Sequence, residues 1–380
     1  MPRTLLITGP GGAGRTTVAA ATALAAARAG QRVVLVSGDP AADPGPVPGL
    51  RFAGIDSGAE FRTELVALQE RGAALIGMLG GRPLGAEELT ELPGAEQFAL
   101  LRALRRAATA PATDLVVVDM PPLHQTVTTL GLPAQLRRYL ARLLPAERQA
   151  ARALRPVLAQ LAGVPMPAQW LYEAAARWDE ELAAVQAVIE ADTTAVRVVA
   201  EPGPAADAAL RTGLLGLALL RLPVADLVAN RLVPRDSADP WVAGIAARQE
   251  AFRTAWSKDL PVVGLPHPGR DPQGPEDLAA LAAAGPLAPE AAPGRPHWAV
   301  EDRRAEDGVL VWAVPLPRAV KSELDLVRRG DELLLAVGPY RRIVPLPSAL
   351  RRCTVSGAAL ADGVLRIRFT PDPQLWPRAH

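Results

Sequence analysis

Short apolar segments alternate with long segments rich in alanine, leucine and arginine through about the first two thirds of the chain. The apolar segments are β-branched and mostly lack an alternation with polar residues, which is typical of strands that helices cover on both faces. We predict such strands over Thr4–Thr8, Arg32–Ser37, Asp114–Asp119, Val196–Ala200, Asp226–Asn230 and Val262–Leu265. The order of strands and helices predicts an α/β fold with a doubly wound, mostly parallel sheet.

A long helical segment separates the third predicted strand from the fourth. It covers about residues 132–191 and is interrupted at Pro145 and at Gly163–Pro167. Its apolar positions recur at helical spacing on one face. We predict a helical subdomain that packs on the sheet. The alternative is a surface that meets a client protein or a second subunit.

The pattern changes beyond about Ala284. Residues 285–296 (GPLAPEAAPGRP) have the Pro/Ala composition of a linker. After them we predict short strands over Val309–Val314, Glu332–Val337, Tyr340–Pro345, Thr354–Gly357 and Val364–Phe369. The turn pairs Gly330-Asp331, Gly338-Pro339 and Asp362-Gly363 separate several of these strands. The chain is therefore expected to comprise a large domain over 1–284, a linker over 285–304 and a small antiparallel β-sandwich over 305–372.

The sandwich needs a core of its own if it is an independent domain. The expected core residues are Trp312, Leu334, Ile343, Leu346, Val355, Leu365 and Ile367. Cys353 is expected to be a small buried hydrophobic residue, since a free cysteine behaves in this way more often than as a reactive thiol.

Composition excludes several classes of protein. Lys+Arg 41 against Asp+Glu 40 leaves a net charge of +1, so we expect no nucleic-acid partner. The single cysteine excludes an intramolecular disulfide framework and a Cys-rich zinc site. No apolar run reaches the roughly 18–20 residues of a membrane span. The amino terminus turns to glycine too early for a signal peptide. We therefore expect a cytoplasmic protein without an integral membrane segment.

A glycine-rich segment, Gly9-Pro10-Gly11-Gly12-Ala13-Gly14-Arg15-Thr16-Thr17, follows the first predicted strand and opens the first predicted helix. Glycines here let successive backbone N–H groups turn inward, and the helix N-terminus adds positive potential, so the segment is suited to cradle phosphate. The spacing matches a Walker A loop with Thr16 in register for magnesium, but Arg15 replaces the lysine that reaches the terminal phosphates. A deviant P-loop is therefore predicted.

Two carboxylates follow other predicted strands. Asp39 comes after the second strand and Asp119 ends the third. Both are expected at the carboxyl edge of the sheet, beside the phosphate loop, where ligands of doubly wound folds bind. Each aspartate alone is a common turn former. Together with the loop they predict a site with a water-orienting carboxylate and a magnesium-side carboxylate.

These motifs resemble those of the ArsA-type anion-transporting ATPases, which include the guided-entry ATPase of tail-anchored membrane proteins. The deviant Walker A of that family, GKGGVGKTT, overlies Gly9–Thr17, and the DPA of its first switch overlies Asp39-Pro40-Ala41. Its second switch, DTAPTGHT, overlies residues 119–126, and its adenine-side VVNR overlies Val228–Arg231. The carboxy-terminal sandwich resembles the α-crystallin-like domain that some bacterial members carry.

The resemblance implies a dimeric, magnesium-dependent ATPase of the P-loop class. It implies that ATP or ADP is contacted by Gly9, Gly11, Gly12, Gly14, Arg15, Thr16, Thr17 and Asn230. It also implies that Thr16 and Asp119 serve Mg²⁺ and that Asp39 is the catalytic residue, orienting the attacking water.

Two lysines of the family are missing from this chain. The signature lysine, which crosses the dimer to the nucleotide of the partner, falls at Pro10, and the loop lysine falls at Arg15. A guanidinium is bulkier than an ammonium and its charge is more spread, and a proline removes a backbone N–H. Losing such electrostatics lowers the hydrolysis rate by orders of magnitude while ground-state binding survives. We expect nucleotide and Mg²⁺ binding that is weaker than in lysine-bearing relatives, or absent.

Three functions are compatible with these residues. The departures favour a degenerate ATPase that acts as a nucleotide-binding subunit or scaffold, in a homodimer or in a heterodimer with an intact paralogue. The alternative is an active ATPase that couples hydrolysis to the handling of a protein client or an anion. The third is a chaperone-like binding protein led by the sandwich, which rests on fold analogy alone.

Overall fold

The amino-terminal part of the chain forms a seven-stranded parallel sheet. The computed structural model describes residues 1–78, 80–144, 169–288 and 293–375. The strands of the sheet are β1 (Arg3–Thr8), β2 (Val33–Ser37), β3 (Leu50–Gly54), β4 (Leu115–Asp119), β5 (Thr194–Ala200), β6 (Val224–Leu232) and β7 (Val262–Pro266). They pair in the order β3-β2-β4-β1-β5-β6-β7, and every pairing is parallel. The predicted doubly wound α/β fold is confirmed.

Helices cover both faces of this sheet and explain why its strands are apolar along their length. They are α1 (Arg15–Arg28), α2 (Ser57–Arg71), α3 (Ala73–Met78), α4 (Ala95–Ala108), α5 (Leu123–Leu143), α6 (Gln169–Ile189), α7 (Pro204–Leu219), α8 (Pro240–Trp256) and α9 (Gly274–Ala284). Buried residues of α1 and α9 form the core on one face, and those of α4 to α7 form the core on the other. Across the described ranges, no helix is long and apolar enough to cross a membrane.

The helical subdomain expected over about 132–191 is described in part. Helix α5 starts at Leu123, well before the expected start, because it continues directly from the loop after β4. Arg137 of α5 binds α6 through Asp179 and Gln186, with nitrogen–oxygen distances of 2.9 and 3.0 Å. The predicted interruptions at Pro145 and Gly163–Pro167 lie outside the described residues.

The carboxy-terminal part forms two antiparallel sheets. Its elements are β8 (Val300–Arg303), α10 (Arg304–Asp307), β9 (Val309–Pro315), β10 (Leu324–Arg329), β11 (Glu332–Val337), β12 (Tyr340–Pro345), α11 (Ser348–Arg351), β13 (Cys353–Ala361) and β14 (Val364–Pro371). One sheet has the order β10-β11-β12 and the other β13-β14-β9-β8. The predicted antiparallel second unit is confirmed, and its turn at Asp362 and Gly363 has the positive φ angles, 50° and 69°, of a tight hairpin.

Three strands were not predicted, and one of them lies inside the expected linker. Val300–Arg303 pairs with β9, so the linker prediction over 285–304 is wrong for these residues. The sequence VEDR is charged, and only its register with β9 makes it a strand. Strands β3 and β10 were missed for a related reason, because both lie at sheet edges and mix polar with apolar residues.

The expected sandwich core is confirmed for four of its residues. Trp312, Leu346, Leu365 and Ile367 are buried, as is Cys353. Val355, Leu334 and Ile343 are half-buried. Leu334 and Ile343 pair across β11 and β12 on the face away from the sandwich core, while their neighbours Leu333 and Leu335 are buried. The run Glu332–Val337 has no polar alternation after its first residue, so the sequence could not decide which leucines face inward.

Candidate functional site

The glycine-rich loop joins β1 to α1 at the carboxyl edge of the sheet. Gly12 and Gly14 have φ angles of 77° and 85°, which side-chain-bearing residues adopt only with strain. Gly9 is limited by space instead, because a Cβ there would lie 1.9 Å from the carbonyl oxygen of Val199 in β5. Helix α1 begins directly after Gly14, and the first N–H groups of a helix have no partner within it. The loop therefore has the backbone geometry of an anion site.

Asp119 ends β4, and its two carboxylate oxygens have different surroundings. Oδ2 accepts hydrogen bonds from Thr16 Oγ1 at 2.9 Å and from Ser37 Oγ at 2.8 Å. Oδ1 is buried and has no hydrogen-bond partner among the described residues. Burial raises the pKa of Asp119, while the hydroxyl hydrogen bonds and the charge of Arg15 oppose this shift. The structure brings Thr16 and Asp119 together as the sequence predicted.

This group of oxygens fits magnesium. Mg²⁺ prefers oxygen ligands and is often held by one or two carboxylates while phosphate and water supply the rest. The free Oδ1 of Asp119 and the hydroxyl of Thr16 are such donors. The described ranges, this site included, contain no group of three or more His, Cys, Asp or Glu residues that could hold a metal ion, so phosphate and water would have to supply the remaining ligands here. Ser37 was not predicted, although it ends a predicted strand two residues before Asp39.

Arg15 occupies the loop-lysine position, and its side chain is half-buried. Nη1 donates a hydrogen bond to the carbonyl oxygen of Met120, the residue after Asp119. Burial lowers the pKa of Arg15, and the nearby carboxylate of Asp119 offsets part of that effect. The guanidinium thus ties the phosphate loop to the segment after β4, and one of its donors is already used by the protein.

Asp39 lies at the same edge of the sheet, after β2. Its Oδ1 accepts the N–H of Ala41 at 2.9 Å and caps the short 3-10 turn Pro40–Ala42. The side chain is exposed, and its charge contributes to raising the pKa of Asp119. Asp39 is therefore a solvent-facing carboxylate close to the buried one.

Asn230 and Arg231 support the loop from β6. Asn230 is buried, and its Nδ2 donates to the carbonyl oxygen of Ala13 at 2.8 Å. Arg231 Nη1 donates to the carbonyl oxygen of Gly12 at 2.9 Å. The resemblance assigned the side chain of Asn230 to adenine, whereas in this structure its amide nitrogen binds the backbone of the phosphate loop. Arg231 was not predicted as a site residue, although it follows Asn230 in the same motif.

Gly11 and Thr17, the remaining predicted contacts of the loop, differ in their surroundings. A Cβ at Gly11 would have no atom within 4 Å, and Thr17 is half-buried in the first turn of α1. The two lysines of the chain are elsewhere, because Lys258 precedes the amino end of β7 and Lys321 lies in the sandwich. No lysine can therefore take the place of Arg15.

Two family models match this chain. The model described as anion-transporting ATPase matches residues 2–43 and 48–283, and the model described as HSP20-like domain found in ArsA matches residues 307–369.

Relatives match over nearly their whole length. An uncharacterized protein of Streptomyces coelicolor is 57% identical over 390 residues, which covers 99% of each chain. A protein of Mycobacterium tuberculosis is 30% identical over 426 residues, covering 99% of this chain and 97% of its own. A protein of Aquifex aeolicus with the provisional name arsenical pump-driving ATPase 1 is 24% identical over 378 residues, covering 92% of this chain and 95% of its own.

Proposed function

This chain belongs to the anion-transporting ATPase family, and from that membership we propose that it binds ATP or ADP with magnesium but hydrolyses ATP slowly or not at all. In this proposal it acts as the nucleotide-binding subunit or scaffold of a dimer. The observation that carries the proposal is the position of Arg15, whose guanidinium binds the carbonyl oxygen of Met120.

In this proposal, different residues contact the phosphates, contact the magnesium ion and support the loop. The backbone of Gly9–Thr17 and the start of α1 would hold the phosphates through N–H groups. Thr16 and the free Oδ1 of Asp119 would hold Mg²⁺, which when bound neutralises charge on the phosphate oxygens. Asn230 and Arg231 keep the loop in place from β6.

The same residues explain why turnover would be slow. A loop lysine stabilises the negative charge that develops on the transferred phosphate in the transition state. Contacts of this kind raise the hydrolysis rate by orders of magnitude. Arg15 is bulkier and is held partly by Met120, so its charge is less free to do so. Pro10 has no N–H to donate to the phosphates. It also lacks the positive charge of the signature lysine, which in the family reaches the nucleotide of the partner subunit.

Binding is tested by titrating the full chain with Mg-ATP and Mg-ADP in a calorimeter. We expect measurable affinity for both and a higher melting temperature at millimolar nucleotide, because a ligand of the native state stabilises it by mass action. A silent calorimeter together with an unchanged melting temperature would refute nucleotide binding.

Turnover is tested with Arg15→Lys, Pro10→Lys and the double variant. We expect phosphate release by the unmodified chain to be at least ten-fold slower than by the double variant, since the latter regains both charges. Asp39→Asn in the double variant is the control, because it removes the carboxylate assigned to the attacking water. Fast release by the unmodified chain that Asp39→Asn abolishes would establish the alternative, an active ATPase.

One observation favours that alternative. Thr16, Asp119 and Asp39 lie together at one edge of the sheet as an active site requires. In that case hydrolysis would drive the handling of a client or an anion, and Arg15 would replace the loop lysine.

The dimer is proposed from family membership. Sedimentation velocity of the purified chain with and without Mg-ATP separates the two forms. A nucleotide-dependent dimer supports a homodimer, whereas a monomer under both conditions supports a heterodimer with a lysine-bearing paralogue, which co-expression and co-purification then test.

A further inference from the structure

A large cavity lies between the two parts of the chain, away from the phosphate loop. Its volume is about 1260 Å³, and helices α5 to α7 face strands β11 and β12 across it. Much of the wall is apolar, with Leu130, Ile189, Leu219, Leu334 and Val344 among its residues. A cavity of this size is large enough for a small-molecule ligand.

The charge of the lining is unbalanced. Among the described residues, six arginines but three carboxylates contribute to it. Arg342 is central, because it stacks over the ring of Trp298 at 5.7 Å and its Nη2 approaches Glu190 only to 3.8 Å. Burial, and the charges of Arg295 and Arg221 nearby, lower the pKa of Arg342 to about 10, although Glu190 acts in the opposite direction. Arg137 and Arg138 of this lining are paired with Asp179 and Glu332. The excess positive charge therefore lies around Arg342, Arg221 and Arg295, which in the described part of the chain form no ion pair closer than the 3.8 Å contact between Arg342 and Glu190.

Three buried donors in this region have no acceptor among the described residues. They are Nε1 of Trp298, Nε1 of Trp312 and Nη1 of Arg295. Trp298 and Trp312 line the cavity and are only 8% and 3% exposed, so bulk water scarcely reaches them. Arg295 precedes Trp298 by three residues, and its Nη2 donates to the carbonyl oxygen of Leu220, a lining residue, at 3.0 Å.

Buried donors without acceptors destabilise a fold, and native proteins have few of them. Here all three unpartnered groups are donors. Trp298 lies against Arg342 and contacts Trp312 at a ring-centroid distance of 5.7 Å, and the charge of Arg295 acts on Arg342. An anion would accept hydrogen bonds from them and balance the charge. A planar guanidinium matches the oxygens of a carboxylate or a phosphate particularly well.

We propose that this cavity binds a small amphiphile, whose carboxylate or phosphate head lies among Arg342, Trp298 and Trp312 and whose apolar chain lies along the leucine-rich wall. The head group would accept hydrogen bonds from the unpartnered donors. The alkyl tail of the amphiphile would cover the apolar surface, which an inorganic anion would leave exposed. The site differs from the nucleotide site in both place and chemistry.

The proposal is tested by calorimetry on the full chain with decanoate, decyl phosphate, 1-decanol and inorganic phosphate. We expect at least one of the two anionic amphiphiles to bind at least ten-fold more tightly than 1-decanol and inorganic phosphate. The anionic amphiphile that binds more tightly identifies the preferred head group. Equal affinities would mean that the site recognises the negative charge that both head groups share. The stoichiometry is one per chain and stays one in saturating Mg-ATP.

Three results would overturn the assignment. If 1-decanol binds as tightly as the anionic amphiphiles, the charge of the head group contributes nothing to affinity. If inorganic phosphate binds as tightly, the alkyl tail contributes nothing. Binding that Mg-ATP abolishes would place the probe in the phosphate loop.

Variants locate the site. Arg342→Gln should weaken binding of the anionic probe at least ten-fold. Arg32→Gln, which changes an exposed arginine that is not among the lining residues, should leave binding unchanged. Trp298→Phe keeps an aromatic ring but removes the unpartnered N–H, so it should weaken the anionic probe at least three-fold and leave weak 1-decanol binding unchanged. If Arg342→Gln does not fold, Trp298→Phe decides. Unchanged affinity in a folded Trp298→Phe variant would refute the position of the head group.

Discussion

At the scale of single residues, Asp119 combines burial with an unpartnered oxygen. Its Oδ2 is held by two hydroxyls, and its Oδ1 faces no donor within the described residues. The raised pKa means that the native state favours the protonated form more than the unfolded chain does. The charged form therefore lowers the stability of the ligand-free protein above that pKa.

We predict that Asp119→Asn raises the melting temperature without magnesium while it abolishes the stabilisation by Mg-ATP. The amide can still accept from Thr16 and Ser37, but it carries no charge to bury or to offer to the metal. Because the pKa is raised, the contribution of Asp119 to stability should fall as the pH rises through that value, so the gain in melting temperature of the variant over the unmodified chain should grow over the same range. Thermal melts between pH 4 and pH 8 test both points, and a variant less stable than the parent at pH 8 without magnesium contradicts them.

Gly9 and Gly11 form a matched pair within one loop. We predict that Gly9→Ala lowers the free energy of unfolding by about 1–3 kcal/mol or more, because its Cβ would lie 1.9 Å from a backbone oxygen of β5. Gly11→Ala should change stability little, since nothing lies within 4 Å of the added carbon. Urea unfolding of the two variants tests this, and equal losses would mean that the loop can move away from β5.

The sequence predicted that Thr16 and Asp119 lie together, but it did not predict Ser37 or Arg231 or the other hydrogen-bond partners at this edge of the sheet. Walker-type spacing places Gly9, Arg15 and Thr16 after a strand, because that motif is local. The hydrogen bond from Arg15 to Met120 and those from Asn230 and Arg231 join residues that are far apart in the chain. Such contacts depend on how β4 and β6 flank β1 and β5, which no local pattern contains.

At the scale of elements, a buried ion pair joins β5 to β6. Arg197 is 1% exposed and binds both oxygens of Asp226 at 2.7 Å. Its Nη1 also donates to Thr22 of α1 and to the carbonyl oxygen of Leu287. One side chain therefore connects two strands, a helix and the segment after α9. The segment VRVVA predicted a strand correctly, but its arginine gave no sign of this role.

We predict that Arg197→Met lowers the free energy of unfolding by about 3–5 kcal/mol, because it leaves Asp226 partly buried and unpaired. The double variant Arg197→Met/Asp226→Leu should recover much of that loss, since no charge remains. Arg32→Met, which breaks a similar Arg–Asp pair at the surface, is the control and should cost far less. A double variant no more stable than Arg197→Met, by denaturant unfolding, would show that the bonds to Thr22 and Leu287 dominate.

At the scale of the whole molecule, the sandwich is fastened to the large domain. Arg138 of α5 binds both oxygens of Glu332 at 2.9 Å, and Arg318 binds Asp259. Tyr340 lies against α7, where a Cβ at Gly216 would be 2.8 Å from its ring. Buried residues of the sandwich and of the large sheet belong to one continuous cluster.

These contacts predict that cutting the connection will not separate the parts. With a recognition sequence for a specific protease inserted after residue 290, we expect complete cleavage to leave one species in size-exclusion chromatography. Two species should appear only in denaturant or after Glu332→Ala and Arg318→Ala are combined. Separation in plain buffer would mean that the connecting segment alone holds the sandwich in place. Uncleaved protein with the same insertion is the control.

The division into two parts could be predicted, because it depends on a change of pattern along the chain near residue 285. The domain boundaries themselves stay a prediction that the cleavage experiment addresses. How the parts pack could not be predicted. The cavity between them is lined by half-buried residues such as Leu334 and Ile343, whose side of the sheet the sequence left undecided.

Helix α5 connects the two proposed sites and could couple ligand binding at one to ligand binding at the other. It starts four residues after Asp119, and turns on both sides of Pro133 line the cavity. Pro133 has no N–H to donate to the preceding turn, so the helix can bend within the part that lines the cavity. If nucleotide changes that bend, thermodynamic reciprocity demands that an amphiphile change nucleotide affinity by the same factor. Two titrations, each repeated at saturation of the other ligand, must then yield one coupling constant.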